Sequence, residues 1–267
     1  MAANRINYGA DSMADNQPSV KLSFTGPVAW IRLDNPAKRN ALTVDDIDAF
    51  ATQLGDVEQN PRVRVLVVTG GSGGTFCAGA SLDQLSSGEL SVGQFEQLTN
   101  RLASMTVPTI CAMNGHAFGG GAEIAVCCDF RIGARGMRLF VPPARFGLVY
   151  PLAGIERYVR RLGPDTAKRL LVASEEMDGE RLLQLGFLTE LVEPDQVQGA
   201  AARMADSIAG LAPLAVSAMK EICDSVAAGT LENQRARELA ERCRQSKDLR
   251  EGLRAVREKR KPVFTGN

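Results

Sequence analysis

The sequence predicts an α/β fold, with a strand-rich core followed by a helical C-terminal region. Three observations carry this. Short apolar runs such as "VRVLVVTG" (63–70) and "TICAMNG" (109–115) have the length and composition of buried strands. Longer segments between them show helical periodicity. From Pro194 to the end nearly every segment has the helical pattern, and no Pro- or Ser-rich linker divides the chain.

Taken in order, "VKLSFTGPVAWIRLDNP" (20–36) reads as two strands around a Gly26-Pro27 turn. "TVDDIDAFATQLGDVEQN" (43–60) opens with a Thr43 cap and first-turn acids, so it reads as a helix. Residues 92–105 are helical by periodicity. A helix starts within "GGGAEIAVCCD" (119–129), and "FRIGA" (130–134) and "MRLFV" (137–141) are strand-like. "GPDTAKRLLVASEEMDGERLLQLG" (163–186) suggests two helices and "FLTELVEP" (187–194) a short strand.

The totals exclude several classes. A chain of 267 residues buries a sizeable core without staples. Lys plus Arg equals Asp plus Glu at 31 each, which argues against a general nucleic-acid binder. The six cysteines form no C-x-x-C and suit buried free thiols, and the single histidine excludes Cys/His zinc spacings. No metal is expected. No apolar run reaches the ~18 residues of a membrane span. Residues 1–19 lack the apolar centre of a signal peptide and carry Asp11 and Asp15, so a disordered tail and a cytoplasmic location are expected.

The glycine burst in "VLVVTGGSGGTFCAG" (65–79) admits three chemistries. A dinucleotide cradle requires a helix to open directly after the glycines, and Thr75-Phe76-Cys77 follow instead. A nucleophile elbow on Ser72 requires a strand-to-helix turn and a later acid and histidine. The chain has only His116, reached through another apolar strand. The third reading is a loop that offers backbone N–H groups. Its partner is "NGHAFGGGAEIAVCCD" (114–129), a strand end, a Gly triplet and a helix start with free N–H donors. Two such loops facing one cavity make an oxyanion hole. The triplet alone equally allows close helix packing.

"FCAGASLDQL" (76–85) followed by "NGHAFGGGAEIAVCCD" resembles the enoyl-CoA hydratase/isomerase (crotonase) superfamily. The resemblance continues in "IRLDNPAKRNALT" (31–43), "PPARFGLVYPLAGIERYVRRLG" (142–163) and "EGLRAVREKRKPVF" (251–264). It implies a spiral of ββα units over residues 20–200 and a C-terminal helical trimerisation region over 201–267. It also implies trimers, or hexamers of two trimers, an acyl-CoA substrate, and no cofactor beyond the coenzyme A carried by that substrate.

Residue by residue, the resemblance implies that the N–H groups of Ala80 and Gly120 hold a thioester enolate. It makes Glu123 the acid/base, although a glutamate in a first helical turn also complements the helix dipole. The family's second glutamate is replaced by Pro143, and a usual proline by Tyr150, either a phenolic donor or a space filler. Ala37, Lys38, Arg39, Ala78, Ser81, Leu82 and the tail residue Lys259 are the implied CoA and substrate contacts. Val256 stands where the tail aromatic is usual, and "REKRK" on its own suits a solvated charge run. Arg145 suits a structural salt bridge. Pro143, Tyr150 and His116 are the possible substrate-pocket residues, although His116 suits a packed or surface histidine better than a general base. Residues 82–97 are expected to line the acyl pocket as a mobile loop. The expected reaction is hydratase-like enolate chemistry on enoyl-CoA with one carboxylate. The alternatives are a double-bond isomerase, an acyl-CoA decarboxylase, and a catalytically weak acyl-CoA-binding protein.

Overall fold

The computed structural model describes residues 18–267. The expected N-terminal tail therefore lies outside the described residues except for Pro18 and Ser19. Ser19 donates its N–H and hydroxyl to Asp46 Oδ1, at 2.6 and 2.9 Å.

The strands are β1 (Val20–Thr25), β2 (Val28–Leu33), β3 (Val65–Gly70), β4 (Thr75–Cys77), β5 (Thr109–Met113), β6 (His116–Phe118), β7 (Phe130–Ala134), β8 (Arg138–Phe140), β9 (Met177–Asp178) and β10 (Glu190–Val192). The helices are α1 (Val44–Gln59), α2 (Leu82–Ser87), α3 (Val92–Ala103), α4 (Gly120–Cys127), α5 (Leu152–Leu171), α6 (Gly179–Gln184), α7 (Val197–Ala209), α8 (Pro213–Ala228), α9 (Asn233–Gln245) and α10 (Lys247–Arg257). Thr43 and Asp46 cap α1 reciprocally. Gly163-Pro164 breaks α5, where the sequence pattern changes.

Two sheets form, in the orders β1-β2-β3-β5-β7-β10 and β4-β6-β8-β9. Among the described residues only β1/β2 and β8/β9 pair antiparallel. Each turn of the chain lays one strand in the larger sheet and the next in the smaller one: β3 then β4, β5 then β6, β7 then β8. A helical segment closes each turn, which makes a ββα spiral.

The uninterrupted apolar run of β3 follows from burial on both faces. Leu66 and Val68 join the core under α1, α3 and α4, while Val65 and Val67 meet Ala200, Ala201 and Ala205 of α7. The boundary at 200/201 thus falls inside α7, a helix that belongs to the core layers. The helices α8–α10 follow it. Lys220 on α8 ties them back to Asp129, after α4, at 2.6 Å. Among the described residues no helix is long and apolar enough to cross a membrane.

Candidate active site

The two glycine loops meet. Gly79 has φ +92°, and a Cβ there would sit 2.6 Å from the Gly120 nitrogen, so only glycine fits both the conformation and the contact. Leu42 bridges Ala80 in parallel. Its N–H donates to Gly79 O and its carbonyl accepts from the Ser81 N–H, both at 2.8 Å. That pattern turns the N–H of Ala80 itself away from Leu42. Gly120 is the first residue of α4, behind the cap residue Gly119, so its N–H has no acceptor within the helix. Ala80 and Gly120 line the same cavity.

That cavity encloses about 490 Å³ and is largely apolar, walled by residues such as Leu82, Leu85, Phe95 and Phe146. Residues 82–97 do line it. They are not a loop throughout: α3 falls where the periodicity of 92–105 predicts a helix, and the short helix α2 replaces the expected loop before it. Ser81 caps α2 by accepting from the Gln84 N–H, and Ser91 and Gln94 form a capping box on α3. A second cavity of about 520 Å³ lies between α3, α8 and α9. Four of its five charged side chains are paired, Lys220 with Asp224 and Arg235 with Glu221, and it contains none of the candidate residues.

Glu123 lies in the first turn of α4 and is 4% exposed. Its carboxylate does not fold back on the helix N-terminus. Oε2 accepts from the Tyr150 hydroxyl at 2.8 Å, and Oε1 is paired with Arg157 of α5. The other guanidinium nitrogen of Arg157 donates to Asn100 of α3. Burial pushes the Glu123 carboxyl above its ordinary value, and Arg157 and the Tyr150 phenol oppose this without cancelling it. Burial, then the nearby Glu123 charge, push the Tyr150 phenol well up, so it remains a hydrogen-bond donor. Tyr150 is therefore more than a space filler.

Among the other expected residues, Ala78, Leu82 and Pro143 line the cavity. Ser81 does not, because its hydroxyl is used as the α2 cap. His116, a possible pocket residue, is likewise outside the cavity: Nδ1 accepts from the Arg138 N–H at 3.0 Å and the ring stacks on Phe118. Burial, then Arg138, lower its pKa. Among the described residues Arg145 makes no salt bridge. It sits 4.3 Å from the centre of the Phe140 ring and donates to Ser174 O at 3.0 Å.

Ala37, Lys38 and Arg39 form an exposed turn outside the cavity. The buried Asn40 anchors it, donating to Thr75 O and Phe76 O at 2.9 and 3.0 Å. Ala78 donates to Arg39 O at 3.0 Å, which bonds this turn to the loop that carries Ala80. Lys259 follows α10, also outside the cavity. Among the described residues no three His, Cys, Asp or Glu side chains are disposed to hold a metal ion.

Sequence reasoning missed Arg157, Asn100, Glu96 and Asn40. Arg157 carried one readable signal: a cation on the same face of "YPLAGIERY" as Gly154 and the buried Tyr158.

The enoyl-CoA hydratase/isomerase family model matches residues 23–267. The chain belongs to that family. Its curated relatives include the short-chain-enoyl-CoA hydratase of Clostridium acetobutylicum, 30% identical over 91% of this chain and 96% of the relative. The carnitinyl-CoA dehydratase of Proteus mirabilis is 32% identical over 93% and 98%. Among solved structures, an enoyl-CoA hydratase from Bacillus anthracis superposes with a TM-score of 0.88 at 25% identity, covering 93% of this chain and all of that one. As an enzyme of the enoyl-CoA hydratase/isomerase family, the protein acts on acyl-CoA thioesters, and the spiral expected from its sequence is the fold of its solved relatives.

Proposed function

We propose that the protein hydrates a 2-enoyl-CoA, with Glu123 as its one acid/base carboxylate. The observation that carries this is the joint placement of Glu123, Ala80 and Gly120 on one apolar cavity. The N–H groups of Ala80 and Gly120 hold the thioester oxygen as negative charge develops on it. Ionised Glu123 takes a proton from water as the hydroxide adds to Cβ. The resulting carboxylic acid delivers that proton to Cα, the enolate collapses, and Glu123 is ionised again. The reverse reaction is a dehydration. The Ala37–Arg39 turn and Lys259 hold the CoA, Lys259 from a neighbouring subunit of a homotrimer.

Pro143 on the cavity wall favours a second reading. With Glu123 alone in the acid/base role and Glu96 and Glu176 elsewhere on the wall, the same residues move a proton between Cα and Cγ of a 3-enoyl-CoA, which is isomerisation. Absorbance of the enoyl thioester follows crotonyl-CoA hydration, and mass spectrometry of products from 3-enoyl- and malonyl-type thioesters separates isomerisation and decarboxylation from it. Glu123→Gln is expected to lower hydration by about 10²–10⁴. Undiminished turnover in that variant defeats the assignment, and tight binding without turnover of any thioester identifies a binding protein.

A further inference from the structure

Glu123 is held from two sides, and one of the holders is itself held. We propose that Arg157, locked by Asn100, is a positioning residue that keeps the Glu123 carboxylate ionised and fixes its orientation in the cavity. This rests on the reading of Glu123 as the acid/base.

The Arg157 side chain is 12% exposed and that of Glu123 5%, so neither charge is stabilised by bulk water. A guanidinium is a planar fork. One arm meets Glu123 on α4 and the other meets Asn100 on α3, and two contacts on separate helices fix the plane of the fork. The remaining groups facing the carboxylate do not replace this cation. The Cys127 thiol of α4 lies 4.0 Å from Oε1. The phenols of Tyr150 and Tyr158 approach from the α5 side and are uncharged. Glu96 of α3 adds a negative charge, which pushes Glu123 in the same direction as burial. Without Arg157, burial and Glu96 together favour the carboxylic acid, which cannot take a proton from water. Asn100 is exposed and its hydrogen bond goes to Arg157 and not to Glu123, so its removal loosens the hold and leaves the charge in place.

The test is the pH profile of kcat and KM for crotonyl-CoA in the wild type, Arg157→Gln, Arg157→Lys and Asn100→Ala. In Arg157→Gln the acid limb of kcat is expected to move at least about one pH unit towards alkali. Its kcat at pH 7 falls about tenfold or more, with KM within about twofold. Arg157→Lys restores much of the limb because it keeps the charge, and Asn100→Ala shifts it less than Arg157→Gln. A structural role alone lowers kcat equally at every pH, and that result overturns the proposal, as does a Lys variant no better than the Gln variant. Should Arg157→Gln fail to fold, the Lys and Ala variants decide: both lose part of the fixed fork and are expected to lower kcat, and wild-type kcat at every pH in both overturns the proposal. If the wild type turns over no enoyl thioester, the hydratase reading has failed on its own. Carboxyl ¹³C NMR of labelled glutamate, assigned with Glu123→Gln, then reads the hold directly. A Glu123 midpoint raised in the Arg157 variants supports the proposal, and an unchanged midpoint overturns it.

Discussion

Burial strengthens the hold of Glu123 on its proton, while Arg157 and the Tyr150 hydroxyl weaken it. The sign of a Tyr150→Phe substitution follows. The phenol donates to the carboxylate and so favours the ionised form. Losing it raises the Glu123 pKa further, and a smaller fraction of the base form remains at pH 7. The acid limb of kcat should move towards alkali, by less than in Arg157→Gln because a neutral donor is lost and not a charge. Profiles with crotonyl-CoA between about pH 5 and 9 check this. Pro143 invites the opposite experiment. It opens a 3-10 turn on the cavity wall, so a glutamate placed there faces the same space as Glu123. Pro143→Glu is expected to raise crotonyl-CoA hydration by at least about tenfold, since a second carboxylate divides the roles of base and acid. An unchanged rate would show that a second carboxylate at this position is not what limits the reaction.

Between elements, the decisive junction is that of the β4–α2 loop with the start of α4. Gly79→Ala forces a side chain into the left-handed region and against the Gly120 nitrogen, so the loops must separate. Losing alignment of one donor costs about 10²–10³ in kcat. The expected outcome is that loss with the fold retained by circular dichroism, because the contact lies at a loop and outside the sheets. This junction was legible in the sequence: the strand runs, the Gly triplet and Glu123 two residues beyond it all sit where the pattern placed them. Tyr150 was readable as a phenolic donor, but Arg157 and the Asn100 that holds it were not. Asn100 and Arg157 lie 57 residues apart, and no local periodicity relates a residue of α3 to one of α5. Residues 82–87 read as part of a loop because their polar side chains mask the short capped helix α2, whereas α3 lies within the stretch 92–105 that reads as helical. Asn40 was passed over because its work is a pair of bonds to backbone carbonyls of β4, which no spacing rule reports.

At the scale of the whole molecule, α10 has two apolar sides. One buries Ala255 against the chain, and the C-terminal tail is clipped nearby by Asp248, which accepts from the Thr265 and Gly266 N–H groups at 2.8 and 2.9 Å. The other carries Leu249, Leu253 and Val256 at i, i+4 and i+7, with 43, 53 and 78% exposure. Met219 and Val226 on α8 are exposed as well. A stripe of large apolar side chains at helical spacing is costly to leave in water, and covering it with further copies of the chain accords with the proposed trimer. Sedimentation equilibrium is expected to give three or six times the chain mass. Leu253→Glu sets a charge in the middle of the stripe, where burial without a partner is strongly unfavourable. It should reduce the assembly towards monomer while circular dichroism stays close to that of the wild type. Because Lys259 is proposed to reach the CoA of a neighbour, the same variant should raise KM for the CoA thioester more than it lowers kcat. A monomeric wild type with unimpaired turnover would remove both the trimer and the role of Lys259.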